Sequence, residues 1–222
     1  LDKASSIQQT YNDAVADEKR QHRAMMEQGK TLMKSRESTA QKLAIQIESM
    51  LHTMSMPNAQ LEFDFHPGEQ PDQWGIEVLV MRFSGNPGMD PLPLQKIASG
   101  GEKSRLMLAF KAVGHDAVST PTIILDEIDT GVSGNVASKM ARMMKRMSNH
   151  QQVIAVTHLP QVAAIASQHF LVKKEESAGS TRTLVKALEE DLRVMEIAAM
   201  LSGSEVGSAA KENAEALLLD HQ

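Results

Sequence analysis

Cysteine is absent from this chain of 222 residues, and so are long uninterrupted runs of apolar residues. Without cysteine, disulfide bonds and thiolate metal sites are excluded, and the absence fits a reducing cytoplasm. The eight histidines do not show the spacing of metal ligands either. There is no run of about 18 apolar residues and no basic-then-apolar leader, so neither a membrane span nor a secretory signal is predicted. We therefore expect a cytoplasmic protein without a membrane partner.

The composition is that of an ordinary globular protein. Hydrophobic residues make up 41% of the chain and charged residues 23%, which allows one sizeable core with an appendage. The formal charge of −5 gives the molecule no general attraction for nucleic acid. The charge balance therefore neither predicts nor excludes a DNA partner, and any contact with phosphates must come from a local basic patch.

The first 55 residues have a helical pattern. They contain no proline and one glycine, and apolar residues such as Ile7, Tyr11, Leu43 and Ile47 recur at roughly three-and-four spacing. Polar residues interrupt the heptad, so we predict a helical arm at residues 1–55 that forms the end of a coiled coil. An amphipathic helical hairpin is the alternative. Because the chain starts inside this pattern without Met, we expect it to be part of a longer protein.

The pattern changes at residue 56, where the predicted globular body begins. Apolar runs then alternate with helical stretches, which predicts an α/β sheet with parallel pairing. Strands are expected at 61–65, 76–83, 121–125, 152–156, 169–173 and 181–187, with 121–125 buried, and helices at 101–113, 134–148, 160–167, 190–201 and 207–219.

Two adjacent glycines lie at the start of the helix predicted at 101–113. Ser99 and Glu102 have the spacing of a capping box, so the helix should begin at Ser99-Gly100-Gly101-Glu102. The glycines leave backbone N–H groups open at the positive end of the helix, an arrangement that attracts phosphate oxygens. Taken alone, this segment fits a plain capped helix better.

Side chains suited to phosphate chemistry follow two predicted strands. Asp126 and Glu127 end the strand at 121–125, and Thr157-His158 follow the strand at 152–156, so all should lie at the carboxyl edge of the sheet, where ligands bind. An Asp there can hold hydrated Mg²⁺, a following Glu can activate water, and a histidine can hydrogen-bond a terminal phosphate. Considered separately, the acids could mark a turn and the histidine could be structural.

The order of these features resembles the layout of ABC-type ATPases. A glycine-rich capped helix is followed by a strand ending in Asp-Glu, by Ile128-Asp129-Thr130-Gly131, and by a strand ending at a histidine. The resemblance implies a nucleotide-binding signature motif at Ser99, Gly100, Gly101 and Glu102, a Walker B motif with Asp126 on Mg²⁺ through water, Glu127 and His158 as catalytic residues, and a nucleotide-contacting D-loop at Asp129.

Longer segments are similar to the RecN family of bacterial SMC-like DNA repair ATPases, namely residues 86–88, 97–102, 126–134 and 156–163. Lys103, where many relatives would have Leu, is a mild departure. The resemblance implies an α/β fold, with the C-terminal lobe of an ABC/SMC-type P-loop NTPase head at residues 56–222. It also implies ATP hydrolysis coupled to head engagement and DNA handling in double-strand break repair and recombination.

Two other interpretations remain open. Another SMC-like head is one, although residues 86–88 and 157–160 argue against it. A non-catalytic coiled-coil scaffold or DNA-binding module is the other, although Glu127 would serve no purpose there.

The P-loop of such ATPases, G-x-x-x-x-G-K-[ST], occurs nowhere in the sequence. Gly29-Lys30-Thr31 does not qualify, because Ala24 stands where the first glycine is needed and the segment lies in a predicted helix. The resemblance therefore implies an N-terminal P-loop lobe of the same protein as partner, and a second head whose nucleotide the signature contacts in an ATP-dependent homodimer. We expect an ATPase in the full-length protein, associated with the nucleoid, and an inactive chain in isolation.

DNA is the remaining implied partner. Two basic clusters are candidates for phosphate contacts, but solvated helix faces explain both, so no DNA-contacting residue is predicted. The clusters are Lys139, Arg142, Lys145 and Arg146 on one helix, and Lys19, Arg20 and Arg23 on the arm.

Overall fold

A computed structural model describes residues 2–97, 99–114, 120–126, 128–177, 180–203 and 206–219. The chain divides into two compact units, one comprising Leu1–Ser49 and Asn58–Ile97 and the other Met50–Pro57 and Ala98–Gln222. No helix within the described ranges is both long enough and apolar enough to cross a membrane.

The arm is one helix, α1, from Asp2 to Thr53. The alternative of a helical hairpin is therefore wrong, because a stretch without proline and with a single glycine offers no point at which to turn. The helix has a length of roughly 75 Å at 1.5 Å per residue. Several apolar side chains of its first two thirds are exposed, namely Ile7, Tyr11, Met25 and Leu32.

A long hairpin accompanies α1 in the first unit. Strands β1 (Gln60–Asp72) and β2 (Gly75–Ser84), which were predicted as strands at 61–65 and 76–83, pair antiparallel. A short strand β3 (Leu92–Pro93) and a 3-10 turn (Leu94–Lys96) follow, and neither was predicted. The pairs Leu61–Phe83, Phe63–Met81 and Phe65–Leu79 place their side chains on one face of the hairpin.

Polar contacts fix the hairpin to α1. The Leu61 N–H donates to Glu48 Oε1 at 2.7 Å, near the start of the hairpin. Near its tip, Arg36 Nη1 donates to Glu77 Oε1 at 2.5 Å and to the Trp74 carbonyl at 2.6 Å. This hydrogen bond from Arg36 holds the pKa of the buried Glu77 carboxyl below its usual range. The hairpin and the helix are therefore joined at both ends of their contact.

The second unit alternates helices and strands at nearly the predicted bounds. Strands β4 and β5 pair in parallel, with Thr122 opposite Gln152 and Asp126 opposite Val156, which confirms the predicted parallel pairing. The elements are α2 (Gly100–Gly114), β4 (Thr122–Asp126), α3 (Gly134–Met147), β5 (Gln152–Val156), α4 (Pro160–Ile165), β6 (Phe170–Ser177), β7 (Ser180–Ala187), α5 (Glu190–Ser202) and α6 (Ser208–Leu219).

The expectation of a buried strand at 121–125 is wrong. Leu125 of β4 is buried, but Ile124 is 62% exposed, and Ile154 opposite it and Val156 are also exposed. The physical reason is that, within the described ranges, β4 and β5 form a sheet of two strands and the apolar face that carries these side chains is exposed. Parallel sheets in folded proteins are covered on both faces.

A small core joins α4, α5 and α6. Ala163 and Ala164 pack with Ile197, Ala198 and Ala214. Arg193 of α5 crosses this core, and its Nη2 donates to the carbonyls of Ala163, Ala164 and Ala166 at 3.4, 2.7 and 2.5 Å. These are carbonyls that the end of α4 leaves without an intrahelical partner. One guanidinium therefore caps α4 and attaches it to α5.

Candidate functional site

Helix α2 begins as the capping pattern predicts. The Ser99 hydroxyl accepts a hydrogen bond from the Glu102 N–H at 3.3 Å, and the Ser99 carbonyl accepts the first helical bond from the Lys103 N–H at 3.2 Å. Ser99 is therefore the N-cap residue. Gly100 at the first helical position is exposed, and Gly101 behind it is buried.

The two glycines have different roles, and the neighbour of Gly101 explains why. A Cβ atom at position 101 would lie 2.9 Å from the Gly131 carbonyl oxygen, whereas one at position 100 would meet no other described atom within 4 Å. Gly131 itself has a φ of +72°, which favours glycine. The start of α2 therefore packs backbone against backbone on the turn that follows β4.

Asp126 is exposed at the carboxyl end of β4, and Val156 lies beside it at the end of β5. Mg²⁺ commonly takes one or two protein carboxylates and completes its shell with waters and substrate phosphates. A single exposed Asp fits that pattern, and the described ranges contain no cluster of three ligand-type side chains. Glu127 lies outside the described residues, so its predicted catalytic role stays a prediction.

Asp129 connects the two loops that follow β4 and β5. It is buried, with 1% of its surface exposed. Its Oδ2 accepts a hydrogen bond from the Thr157 hydroxyl, which itself accepts one from the Leu159 N–H at 2.9 Å. Its Oδ1 lies 3.6 Å from Nδ1 of His158, whose side chain is 70% exposed. The buried carboxylate therefore has one oxygen on the loop and one facing the imidazole.

These contacts bring together most of the predicted site. Gly101 meets the turn at Gly131, and Asp129 of the same turn meets Thr157 and His158. The start of α2 and the loops that follow β4 and β5, which are far apart in the sequence, thus converge at the carboxyl edge of β4 and β5. That is the edge at which open α/β sheets bind ligands.

The sequence analysis missed three residues of this region. Thr157 was noted only as the neighbour of His158, although its hydroxyl holds Asp129. Arg193 caps the end of α4, and no local sequence pattern predicts a contact of this kind. Arg105 lies one turn into α2, close to Gly101, and burial lowers its pKa below the ordinary value. The available signal for Arg105 was a basic residue four positions, one helical turn, after Gly101.

Comparison with known proteins gives relatives that are named DNA repair protein RecN. The chain is 39% identical over 198 residues to DNA repair protein RecN of Deinococcus radiodurans and 35% identical over 189 residues to that of Vibrio cholerae, matches that cover 89% and 85% of this chain. In each case the chain spans about a third, 34%, of the relative's length. No family model matches. These identities confirm the RecN resemblance that the motifs indicate.

Solved structures confirm the fold class. The Smc head domain with a coiled coil and joint from Pyrococcus yayanosii is 21% identical with a TM-score of 0.56, covering 72% of this chain and 29% of that one. The Smc head domain with an extended coiled coil bound to the C-terminal domain of ScpA from Pyrococcus furiosus is 21% identical with a TM-score of 0.53, covering 78% and 40%. The chain therefore shares the α/β fold of part of these Smc head structures.

Proposed function

We propose that this chain, whose sequence is of the RecN type, forms the C-terminal part of the head of an SMC-like DNA repair ATPase. The observation that carries the proposal is the convergence of three segments at one sheet edge. The capped glycine helix at Gly101, the turn at Asp129 and Gly131, and the loop at His158 contact one another in the order that the ABC-type layout requires. In this proposal residues 56–222 form the lobe and residues 1–55 the arm.

The proposed partner is an N-terminal lobe that carries the P-loop. The uncovered apolar face of β4 and β5 supports it, because Ile124, Ile154 and Val156 are exposed on strands that other proteins cover on both sides. The exposed face would lose its contact with water when the partner strands and helices pack against it. Each buried methylene stabilises such an association by about 0.8 kcal/mol.

The arm has a corresponding feature. Its exposed apolar residues Ile7, Tyr11, Met25 and Leu32 lie in a continuous helix at spacings that can form a seam with a second helix. We propose that this seam is occupied by the outgoing helix of the coiled coil, which leaves the P-loop lobe, and that α1 is the returning helix. The same missing segment would then complete both the coiled coil and the head.

Within the completed head, each site residue has a chemical task. Asp126 would hold Mg²⁺, which neutralises phosphate charge when bound. Glu127 would orient the water that attacks the terminal phosphate of ATP, and His158 would hydrogen-bond that phosphate. The N–H groups of Gly100 and Gly101, at the positive end of α2, would contact the nucleotide held by a second head.

We propose DNA as the further partner of the complete protein, in the cytoplasm on the nucleoid. The relatives are named DNA repair proteins. No Asp or Glu occurs between Asp129 and Glu175, although the whole chain is acidic. Arg142, Lys145 and Arg146 are exposed on α3 within this stretch. This basic face is where we would first look for contacts with phosphates.

Steady-state ATP hydrolysis tests the proposal. We would compare this chain, the P-loop lobe of the same protein, and their mixture, each with and without double-stranded DNA. Hydrolysis is expected only in the mixture. Glu127→Gln should reduce it by about 100-fold or more, because the carboxylate that positions water is gone, whereas the control Glu175→Gln on the exposed face of β6 should not.

Two outcomes would contradict the ATPase proposal. If the lobes are folded and associated but hydrolyse nothing, a non-catalytic scaffold is favoured. If Glu127→Gln and Glu175→Gln have equal activity, water activation does not depend on Glu127.

Stimulation by DNA that is lost when Arg142, Lys145 and Arg146 are changed to Gln would support the basic face, and unchanged stimulation would place the DNA contact elsewhere.

A further inference from the structure

The buried carboxylate of Asp129 has an unusual set of neighbours. Oδ2 is engaged by the Thr157 hydroxyl, but Oδ1 has no hydrogen-bond partner within the part of the chain that the structure describes. A buried carboxylate oxygen without a donor is unfavourable and seldom left so. The nearest candidate donor is Nδ1 of His158 at 3.6 Å, somewhat too far for a hydrogen bond.

His158 is free to close this gap. Its side chain is 70% exposed, so a small rotation of the ring can bring Nδ1 within hydrogen-bond distance of Oδ1. The two imidazole nitrogens lie on different sides of the ring, and the hydrogen bond made by one decides what the other can do. With Nδ1 turned to Asp129, Nε2 is the nitrogen that faces the surroundings.

We propose that Asp129 is a positioning residue for His158: its carboxylate, fixed by Thr157, receives the Nδ1 proton and so directs Nε2 outward to the ligand. This inference rests on the proposed function, in which the ligand at Nε2 is the terminal phosphate of a nucleotide. It replaces the nucleotide contact expected for Asp129, whose burial leaves it no surface on which to meet one.

Thr157 supplies the rigidity that this role needs. Its hydroxyl accepts a hydrogen bond from the Leu159 N–H and donates its single proton to Asp129, so the carboxylate is held in one orientation. Thr157 precedes His158 in the chain, and Asp129 lies beside His158 in space. The imidazole is therefore oriented both by the loop that carries it and by the turn after β4. The two loops therefore act on one ring.

Asp129→Asn gives a sharp test, because it keeps the shape of the side chain and replaces one acceptor oxygen with an NH₂ donor. If the Asn carbonyl accepts the Thr157 hydroxyl, its NH₂ faces the imidazole and Nδ1 must become an acceptor. We would label histidine with ¹⁵N, assign His158 by its loss in His158→Gln, and record the ¹⁵N shifts of both ring nitrogens in the isolated chain without nucleotide. In the parent chain Nδ1 should carry the proton, and in Asp129→Asn its signal should move toward the unprotonated range.

A second pair of variants protects the test against misfolding. Thr157→Ser retains the hydroxyl and should leave the His158 signals unchanged, whereas Thr157→Val releases the carboxylate and should shift Nδ1 in the same direction as Asp129→Asn. If neither Asp129→Asn nor Thr157→Val moves the His158 signals in a folded chain, the proposal is overturned.

Kinetics in the mixture with the P-loop lobe then separate positioning from general structural support. Asp129→Asn should lower turnover by about tenfold or more, as substitutions behind a ligand often do, and should cause no further loss in the His158→Gln background. Additive losses would overturn the proposal. Because the ¹⁵N measurement needs no hydrolysis, it can succeed when the mixture is inactive, so failure of the proposed function and failure of this inference are distinguishable.

Discussion

Substituting alanine at each of the two adjacent glycines of α2 tests the close packing at the start of this helix. Gly100→Ala and Gly101→Ala introduce the same methyl group one residue apart in the same helical turn. The Cβ at position 100 meets no described atom within 4 Å, but the Cβ at position 101 lies 2.9 Å from the backbone oxygen of Gly131. We therefore expect opposite effects on the free energy of unfolding.

The magnitude follows from two terms. Both alanines restrict the unfolded chain equally, which stabilises the folded state by roughly 0.4–1 kcal/mol. Only Gly101→Ala must displace a backbone atom, and forced contacts of this kind cost roughly 1–3 kcal/mol. A side chain could rotate away, but the Gly131 carbonyl belongs to a turn with a φ of +72° and cannot. The two variants should therefore differ by roughly 1–3 kcal/mol, with Gly101→Ala the less stable.

Urea unfolding followed by circular dichroism measures this difference, with the parent chain as reference. Equal m-values would show that the denatured states are alike, so that the shift in midpoint reports stability. If Gly101→Ala matches Gly100→Ala within roughly 0.5 kcal/mol, the ordinary range of surface substitutions, then α2 does not rest on the turn after β4 and the geometry of the site described above is incorrect.

Two predictions concern titrating groups. Arg36 lowers the pKa of Glu77, so their contact adds stability that is present above the ordinary pKa of 4.5 and is lost as pH falls through the lowered pKa. Glu77→Gln should therefore reduce the loss of stability at acid pH, measured by urea unfolding at a series of pH values. An unchanged loss at acid pH would refute this prediction. Burial, and to a lesser extent the charge of Arg193, lower the pKa of His169 below 6.5, so stability should fall as pH drops below that value. In an NMR titration of His169, Arg193→Met should raise this pKa and Arg193→Lys should not. Equal pKa values in the parent chain and both variants would contradict the role of Arg193.

Local patterns in the sequence predicted the elements well. The absence of proline predicted the long helix α1, apolar runs predicted β1 and β2, and the Ser99–Glu102 spacing predicted the start of α2. These features depend on neighbours within a few residues, and periodicity reports such neighbours directly. The parallel pairing of β4 and β5 followed from the alternation of helices and strands.

Contacts between distant residues could not be predicted in the same way. Gly101 and Gly131 are thirty positions apart, and nothing near either glycine indicates that their backbones touch. The burial of Asp129 is a second case, because an aspartate in a turn is ordinarily exposed. The exposure of Ile124 is a third case. An apolar run predicts a covered strand, but the run does not indicate whether the covering groups belong to the same chain.

The short helix α4 has a consequence for communication within the second unit. Its first turn follows directly from the loop of His158, and its last carbonyls are held by Arg193 of α5. A helix of six residues has too few turns to bend, so a displacement at one end of α4 is passed to its other end. We therefore expect a displacement of α5, such as binding at the terminal helices would cause, to reach the loop that carries His158 through Arg193 and α4.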